Sequence, residues 1–88
     1  MARGQLDTIE KTDLAEHGTP DALYNLGLMY STGRGVEIDL VTAHKWFNLA
    51  AVRGNIEAKK YRTELATEMT ALQVAEAQRQ AREWLATH

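Results

Sequence analysis

Few side chains in this sequence are of the types that do chemistry, and their spacing argues against most of it. His17, His44 and His88 are spread along the chain, with no His-x3-His pair and no cysteine to complete a ligand set. A metal site needs convergent ligands, so no metal and no cofactor is expected. Ser31 has histidines and aspartates elsewhere in the chain, but the strand–turn–helix elbow that activates a hydrolytic serine has no counterpart here. Gly33-Arg34-Gly35 is a G-x-G lacking the preceding strand and further glycines of a phosphate-binding loop, and it reads as a structural turn. Lys59, Lys60 and Arg62 form a short basic cluster. On a helix such a cluster is first a solvated face. Its functional reading is recognition of acidic groups, a partner's carboxylates before phosphates. Function must be argued from a site, and with no catalytic constellation the chain is expected not to be an enzyme.

Composition narrows the remaining classes. Eighty-eight residues make one small domain, covering 1–88, with a total stability of about 4–13 kcal/mol at the usual value per residue. The absence of cysteine leaves helix packing, or a second subunit, to hold it. A net charge of −2 gives no uniform attraction to nucleic acid or membrane. The charge is uneven: Asp7, Glu10, Asp13, Glu16 and Asp21 make the leading end acidic, and Arg34, Lys45, Arg53, Lys59, Lys60 and Arg62 make the middle mildly basic. No apolar run has the length of a membrane span, and the first residues contain no apolar signal-peptide core. A cytoplasmic location is expected, or a periplasmic or secreted one if the sequence is a processed or truncated form.

The elements that position these residues are helices. Only one proline occurs and strand-like alternation is absent, while alanine, leucine, glutamate, glutamine and arginine are plentiful. Five helices are expected. The first spans about 6–17, with Leu6, Ile9, Leu14 and Ala15 off any clean stripe, and stops at Gly18. Thr19 and Pro20 open the second, whose Leu23, Leu26, Gly27 and Tyr30 share one face and which Gly33 and Gly35 stop. Asp39 caps the third, with Ala43, Trp46, Phe47 and Ala50 on one face, Gly54 at its end and His44 on its exposed flank. Asn55 caps the fourth, which carries Ala58, Tyr61, Leu65 and Met69. Thr70 and Gln73 make a capping box for the fifth, which runs to about Ala86 on a stripe of Val74, Ala77, Ala81, Trp84 and Leu85. Ala15, Gly18 and Ala22 recur as Ala51, Gly54 and Ala58, each 36 residues later. A fixed period of this size indicates stacked helix pairs.

Leu26-Gly27-x2-Tyr30 and Ala43-x3-Phe47, joined by the longer Gly33-Arg34-Gly35-Val36-x2-Asp39 loop and followed by Ala50-Ala51-x2-Gly54-x3-Ala58, resemble a Sel1-like repeat of the tetratricopeptide-like superfamily. The segment from Met69-Thr70 to Trp84 is similar to the closing helix of small bacterial proteins of that family. The resemblance implies an all-α, antiparallel helix-pair stack of about five helices. The clear repeat lies at about 20–55, and degenerate flanking repeats lie at about 6–18 and 56–86. Read from the residues alone, Gly27 lets two helices approach closely, with Ala43, Ala50 or Ala51 opposite and Trp46, Phe47 and Tyr30 around the contact.

The resemblance also implies a function. Repeats of this kind bind other proteins, and the first helix of each pair lines a groove. Mapped through Leu26-Gly27-x2-Tyr30, the groove carries Asp21, Tyr24, Asn25 and Leu28, and 36 residues on Glu57, Lys60, Tyr61 and Glu64. Asn25 falls where some tetratricopeptide clamps hold a peptide carboxylate, but Asp21 stands where such a clamp has lysine. Tyr24 and Leu28 are equally suited to packing between repeats. The expected function is a non-catalytic adaptor or scaffold that holds a partner's peptide or helix in this groove, with Lys60 orienting a carboxylate. The alternatives are a self-associating module, because incomplete repeats leave helix faces to cover, and, less favoured, a nucleic-acid accessory protein using Lys59, Lys60 and Arg62.

Overall fold

Each helix begins where a polar side chain caps it. The computed structural model describes residues 18–88. Thr19 Oγ1 accepts from the Ala22 N–H at 3.3 Å and opens α1, Pro20–Thr32, with Pro20 at its first position. Asp39 Oδ1 accepts from Thr42 N–H at 3.1 Å and opens α2, Leu40–Val52. Asn55 Oδ1 accepts from Ala58 N–H at 2.8 Å and opens α3, Ile56–Ala66. For α4, Ala71–Thr87, the capping box closes both ways: Gln73 N–H to Thr70 Oγ1 at 3.1 Å and Thr70 N–H to Gln73 Oε1 at 2.9 Å. Each cap satisfies N–H groups that the helix itself leaves orphaned. At the other end of α1, Gly33 takes φ 78° and donates its N–H to the Met29 carbonyl at 2.8 Å, a left-handed stop that glycine accepts without a Cβ penalty.

Among the described residues there are four helices and no strand. The helix expected at about 6–17, and the flanking repeat at about 6–18, lie outside the described residues. Met69, expected on the fourth helix, instead follows the end of α3 and packs half-buried against the core.

The 36-residue period has a local structural meaning. The caps Thr19 and Asn55, the starts of α1 and α3, and the buried Ala22 and Ala58 are each one period apart. Gly18 and Gly54 both adopt positive φ. The second pair then departs from the first. Its linker, residues 67–70, is shorter than residues 33–39, and α4 is longer than α2, 17 residues against 13. The counterpart of Leu26-Gly27 is Arg62-Thr63, and Arg62 donates to Asn48 Oδ1 at 2.7 Å where the first pair packs closely.

Helix α2 is the centre of the domain. Helices α1, α3 and α4 all pack on it, and α4 packs on α2 rather than on its sequence neighbour α3. Arg53, past the end of α2, donates to the Gly18 carbonyl at 2.7 Å, and Asp39, its cap, donates its N–H to the Tyr30 carbonyl at 3.0 Å. The start of α1 therefore faces the end of α2, and the two run antiparallel. Because three helices cover it, α2 buries Ala43, His44, Trp46, Phe47, Leu49 and Ala50.

That encirclement corrects the expected position of His44. It is 2 % exposed, not on an outer flank. Leu85, expected on the buried stripe of the last helix, is 40 % exposed, whereas Ala77, Ala81 and Trp84 do face the core. The close approach at Gly27 is real, but its immediate neighbour is an aromatic ring rather than an alanine. A Cβ at Gly27 would lie 2.5 Å from both Cδ1 and Cε1 of Phe47.

A second aromatic cluster ties α4 to the rest. Trp46 and Trp84 meet edge-to-face with centroids 6.0 Å apart, His88 stacks on Trp84 at 4.2 Å, and the Arg53 guanidinium lies 5.0 Å from the Trp84 ring. The same guanidinium holds the Gly18 carbonyl, so one side chain joins the start of α1, the end of α2 and α4. Aromatic pairs and cation–π contacts of this sort each contribute about 0.5–1.5 kcal/mol beyond area burial.

Candidate partner-binding site

The eight residues expected on a groove fall on two helices that flank α2. Asp21, Tyr24, Asn25 and Leu28 are spaced along α1, and Glu57, Lys60, Tyr61 and Glu64 along α3, at the separations that share one helical face. The two rows meet through their aromatics. Tyr24 and Tyr61 have centroids 5.8 Å apart, and both rest on Phe47, at 5.9 Å and 5.6 Å. Phe47 is fully buried and Tyr24 half-buried, whereas Tyr61 is 40 % exposed. The three rings form a ramp from the core to the surface.

Burial raises the Tyr24 phenol above its ordinary pKa, helped by the neighbouring Tyr61 hydroxyl and by the negative charge of Glu57. Tyr24 therefore stays a neutral hydrogen-bonding phenol across the physiological range. Leu28 is half-buried and packs on the core. Tyr24 and Leu28 thus serve packing between the helices and still reach the surface.

The polar members divide into two groups. Asp21 Oδ1 accepts from Asn55 Nδ2 at 3.1 Å, which locks the start of α1 to the cap of α3. Asn25, Lys60 and Glu64 are exposed and their side chains have no hydrogen bond or ion pair among the described residues. These three remain available to a ligand.

The other chemistry-bearing residues do not gather here. Ser31 donates its hydroxyl to the Leu28 carbonyl at 3.1 Å within its own helix. Gly33 and Gly35 shape the α1–α2 turn, both at positive φ. His17 lies outside the described residues. Among the described residues no three His, Cys, Asp or Glu side chains converge as a metal site would require, and no helix is long and apolar enough to cross a membrane. The basic cluster does not act as one patch: Lys59 and Lys60 are exposed, whereas Arg62 is half-buried and turned to Asn48.

Three features were missed by reading residues in order. Phe47 is the floor of the aromatic ramp as well as a packing residue. Asn55 bonds Asp21 in addition to capping α3; the 36-residue offset from Thr19 to Asn55 was the available signal, because it sets one helix start beside the other. The burial of His44 had no signal, since a single apolar stripe does not reveal how many helices surround it.

A family model described as the Sel1 repeat matches residues 20–55. No curated protein and no solved structure matches the chain. The matched span begins at Pro20, the first residue of α1, and ends at Asn55, the cap of α3. It thus contains one helix pair and the first contact to the next. Sel1 repeats generally mediate protein–protein interaction and are generally non-catalytic. Residues 20–55, the α1–α2 helix pair with its flanking turns, are similar to a Sel1 repeat.

Proposed function

We propose that this chain is a non-catalytic protein-interaction module whose α1–α3 face holds a peptide or helix of a partner. The observation that carries this reading is the Tyr24–Tyr61 pair. It rests on buried Phe47, yet Tyr61 remains 40 % exposed. Tyrosines presented on a fixed support offer contact area at small entropic cost, and interfaces concentrate their energy in such residues. Asn25, Lys60, Glu57 and Glu64 surround them as a polar rim. An apolar side chain of the partner would sit against Tyr24, Tyr61 and Leu28. Lys60 would take a carboxylate, and Glu57 and Glu64 would take basic or amide groups. With charges of both signs at an exposed rim, added salt weakens binding only modestly.

The test is a partner capture from cells with Tyr61→Ala and Lys60→Glu as controls. Both variants should stay folded and lose the partner. A folded Tyr61→Ala/Lys60→Glu double variant that captures the same partner as the natural chain refutes the site. Sedimentation of the chain alone over a range of concentrations separates a foreign partner from a second copy filling the groove.

A further inference from the structure

Away from the α1–α3 face, a second polar site lies between α2, α3 and α4. Because α4 packs on α2 rather than on α3, α3 and α4 splay apart and leave a recess of about 420 Å3. His44, Asn48, Arg62, Thr63 and Gln78 supply its polar lining. No acidic side chain borders it.

The lining has one positive charge and a surplus of donors. Arg62 is half-buried and donates one N–H to Asn48 Oδ1 at 2.7 Å, and no carboxylate pairs with it among the described residues. A guanidinium carries five N–H donors, so most of its capacity is unused. The Asn48 amide donates to none of the described residues, and the Gln78 side chain has no partner among them. Thr63 spends its hydroxyl proton on the Lys59 carbonyl at 3.1 Å and brings only acceptor capacity. His44, 2 % exposed, has its Nδ1 buried without a hydrogen-bond partner. Nδ1 is sealed from the recess, so the ring nitrogen open to a ligand there is Nε2, which also has no hydrogen-bond partner among the described residues. A neutral imidazole can carry its proton on Nε2 and donate from there.

We propose that this recess binds a carboxylate, gripped by the Arg62 guanidinium and hydrogen-bonded by the Asn48 and Gln78 amides and the His44 ring. A guanidinium fork matches the two oxygens of a carboxylate. The single charge of Arg62 balances a monoanion. A phosphate monoester, with about −1.5 to −2 charges at neutral pH, would leave charge uncompensated in a half-buried site. The carboxylate can be a peptide C-terminus or an acidic side chain, two sources of the same chemistry. Because α3 turns Lys60 and Tyr61 to one side and Arg62 to the other, this site is separate from the α1–α3 face and stands or falls without it.

The test is an NMR titration of the full chain at constant ionic strength. The probes are acetate, N-acetylglycine as a chain terminus, N-acetylaspartic acid amide as an acidic side chain, and inorganic phosphate. A carboxylate should produce saturable shifts at the His44 ring and the Asn48 and Gln78 side-chain amides. For so small a ligand the Kd should be on the order of 1–10 mM. The tighter of the two amino-acid probes identifies the source. Arg62→Gln should weaken binding at least about tenfold. Gln78→Ala, at an exposed position, should weaken it about fivefold with unchanged melting, which keeps the test decisive if Arg62→Gln fails to fold. Absence of saturable shifts with every carboxylate, tighter binding of phosphate, or full binding by a folded Arg62→Gln or Gln78→Ala variant overturns the proposal.

Discussion

Replacing Gly27 with alanine adds one methyl group at the tightest point between α1 and α2. The new Cβ would lie 2.5 Å from Cδ1 and Cε1 of Phe47 and 2.9 Å from Cγ. Carbon atoms rest at about 3.5–4.0 Å, so the ring or the helix must give by roughly 1 Å. Phe47 is 1 % exposed and has no free direction, because Tyr24 and Tyr61 pack against it. Overpacking of this kind costs about 1–3 kcal/mol. Alanine recovers about 1 kcal/mol of helix propensity over glycine. The net loss for Gly27→Ala is therefore about 0–2 kcal/mol. Gly27→Val adds two further methyls beyond alanine's and is a poorer helix former than alanine, for a net loss of about 2–4 kcal/mol. In a domain of about 4–13 kcal/mol that is a large fraction. Melting followed by circular dichroism reads this directly, at about 4–8 °C per kcal/mol for a domain this size. A cycle with Phe47→Leu isolates the contact: the smaller side chain should make Gly27→Ala less damaging, with a coupling of about 1–2 kcal/mol. A Gly27→Ala variant that melts above the natural chain, with strict additivity against Phe47→Leu, would mean that only helix propensity is at work and that the close approach is not.

Other perturbations have equally definite outcomes. Burial, with the nearby Arg62 charge, holds His44 below its ordinary pKa. The unfolded chain takes up that proton first as pH falls, so the stability from keeping His44 neutral is complete above about pH 6.5 and is lost on acidification below it. The melting temperature should drop between pH 7.5 and 5.5, and His44→Phe should flatten that slope in the same melts. Thr70→Ala removes the cap of α4 and one half of its capping box. It should cost about 1 kcal/mol, or about 4–8 °C, and speed amide exchange in the first turn of α4 in particular. Arg53→Met keeps the packing stem but loses the bond to the Gly18 carbonyl and the contact with Trp84. It should lower stability by about 1–2 kcal/mol in urea titration and change the tryptophan fluorescence.

Local signals carried most of the fold. Thr19, Asp39, Asn55 and Thr70 are short polar side chains ahead of apolar periodicity, and each caps the helix that the pattern announces. Gly33 stops α1 for the backbone reason that its residue type suggests. What the pattern did not carry was the number of neighbours each helix has. A stripe at i, i+3, i+4 and i+7 identifies one buried face, but α2 is covered by three helices, so His44 goes inside with Trp46 and Phe47. The reverse holds at Leu85, which continues the stripe of α4 and yet stays 40 % exposed beside buried Trp84. For the groove, spacing gave the two rows of residues. It did not give the bond between Asp21 and Asn55 or the support of both tyrosines by Phe47, because both depend on how α1 and α3 sit on α2.

The central claim is that partners meet the chain on the α1–α3 face. Photo-crosslinking amino acids placed singly at Asn25, Lys60 and Arg82 test it inside living cells. Asn25 and Lys60 lie on that face, and Arg82 is an exposed residue of α4. Both groove positions should yield the same crosslinked partner, and Arg82 should yield none of it. Crosslinks to that partner from Arg82 alone, or equally from all three positions, would contradict the account.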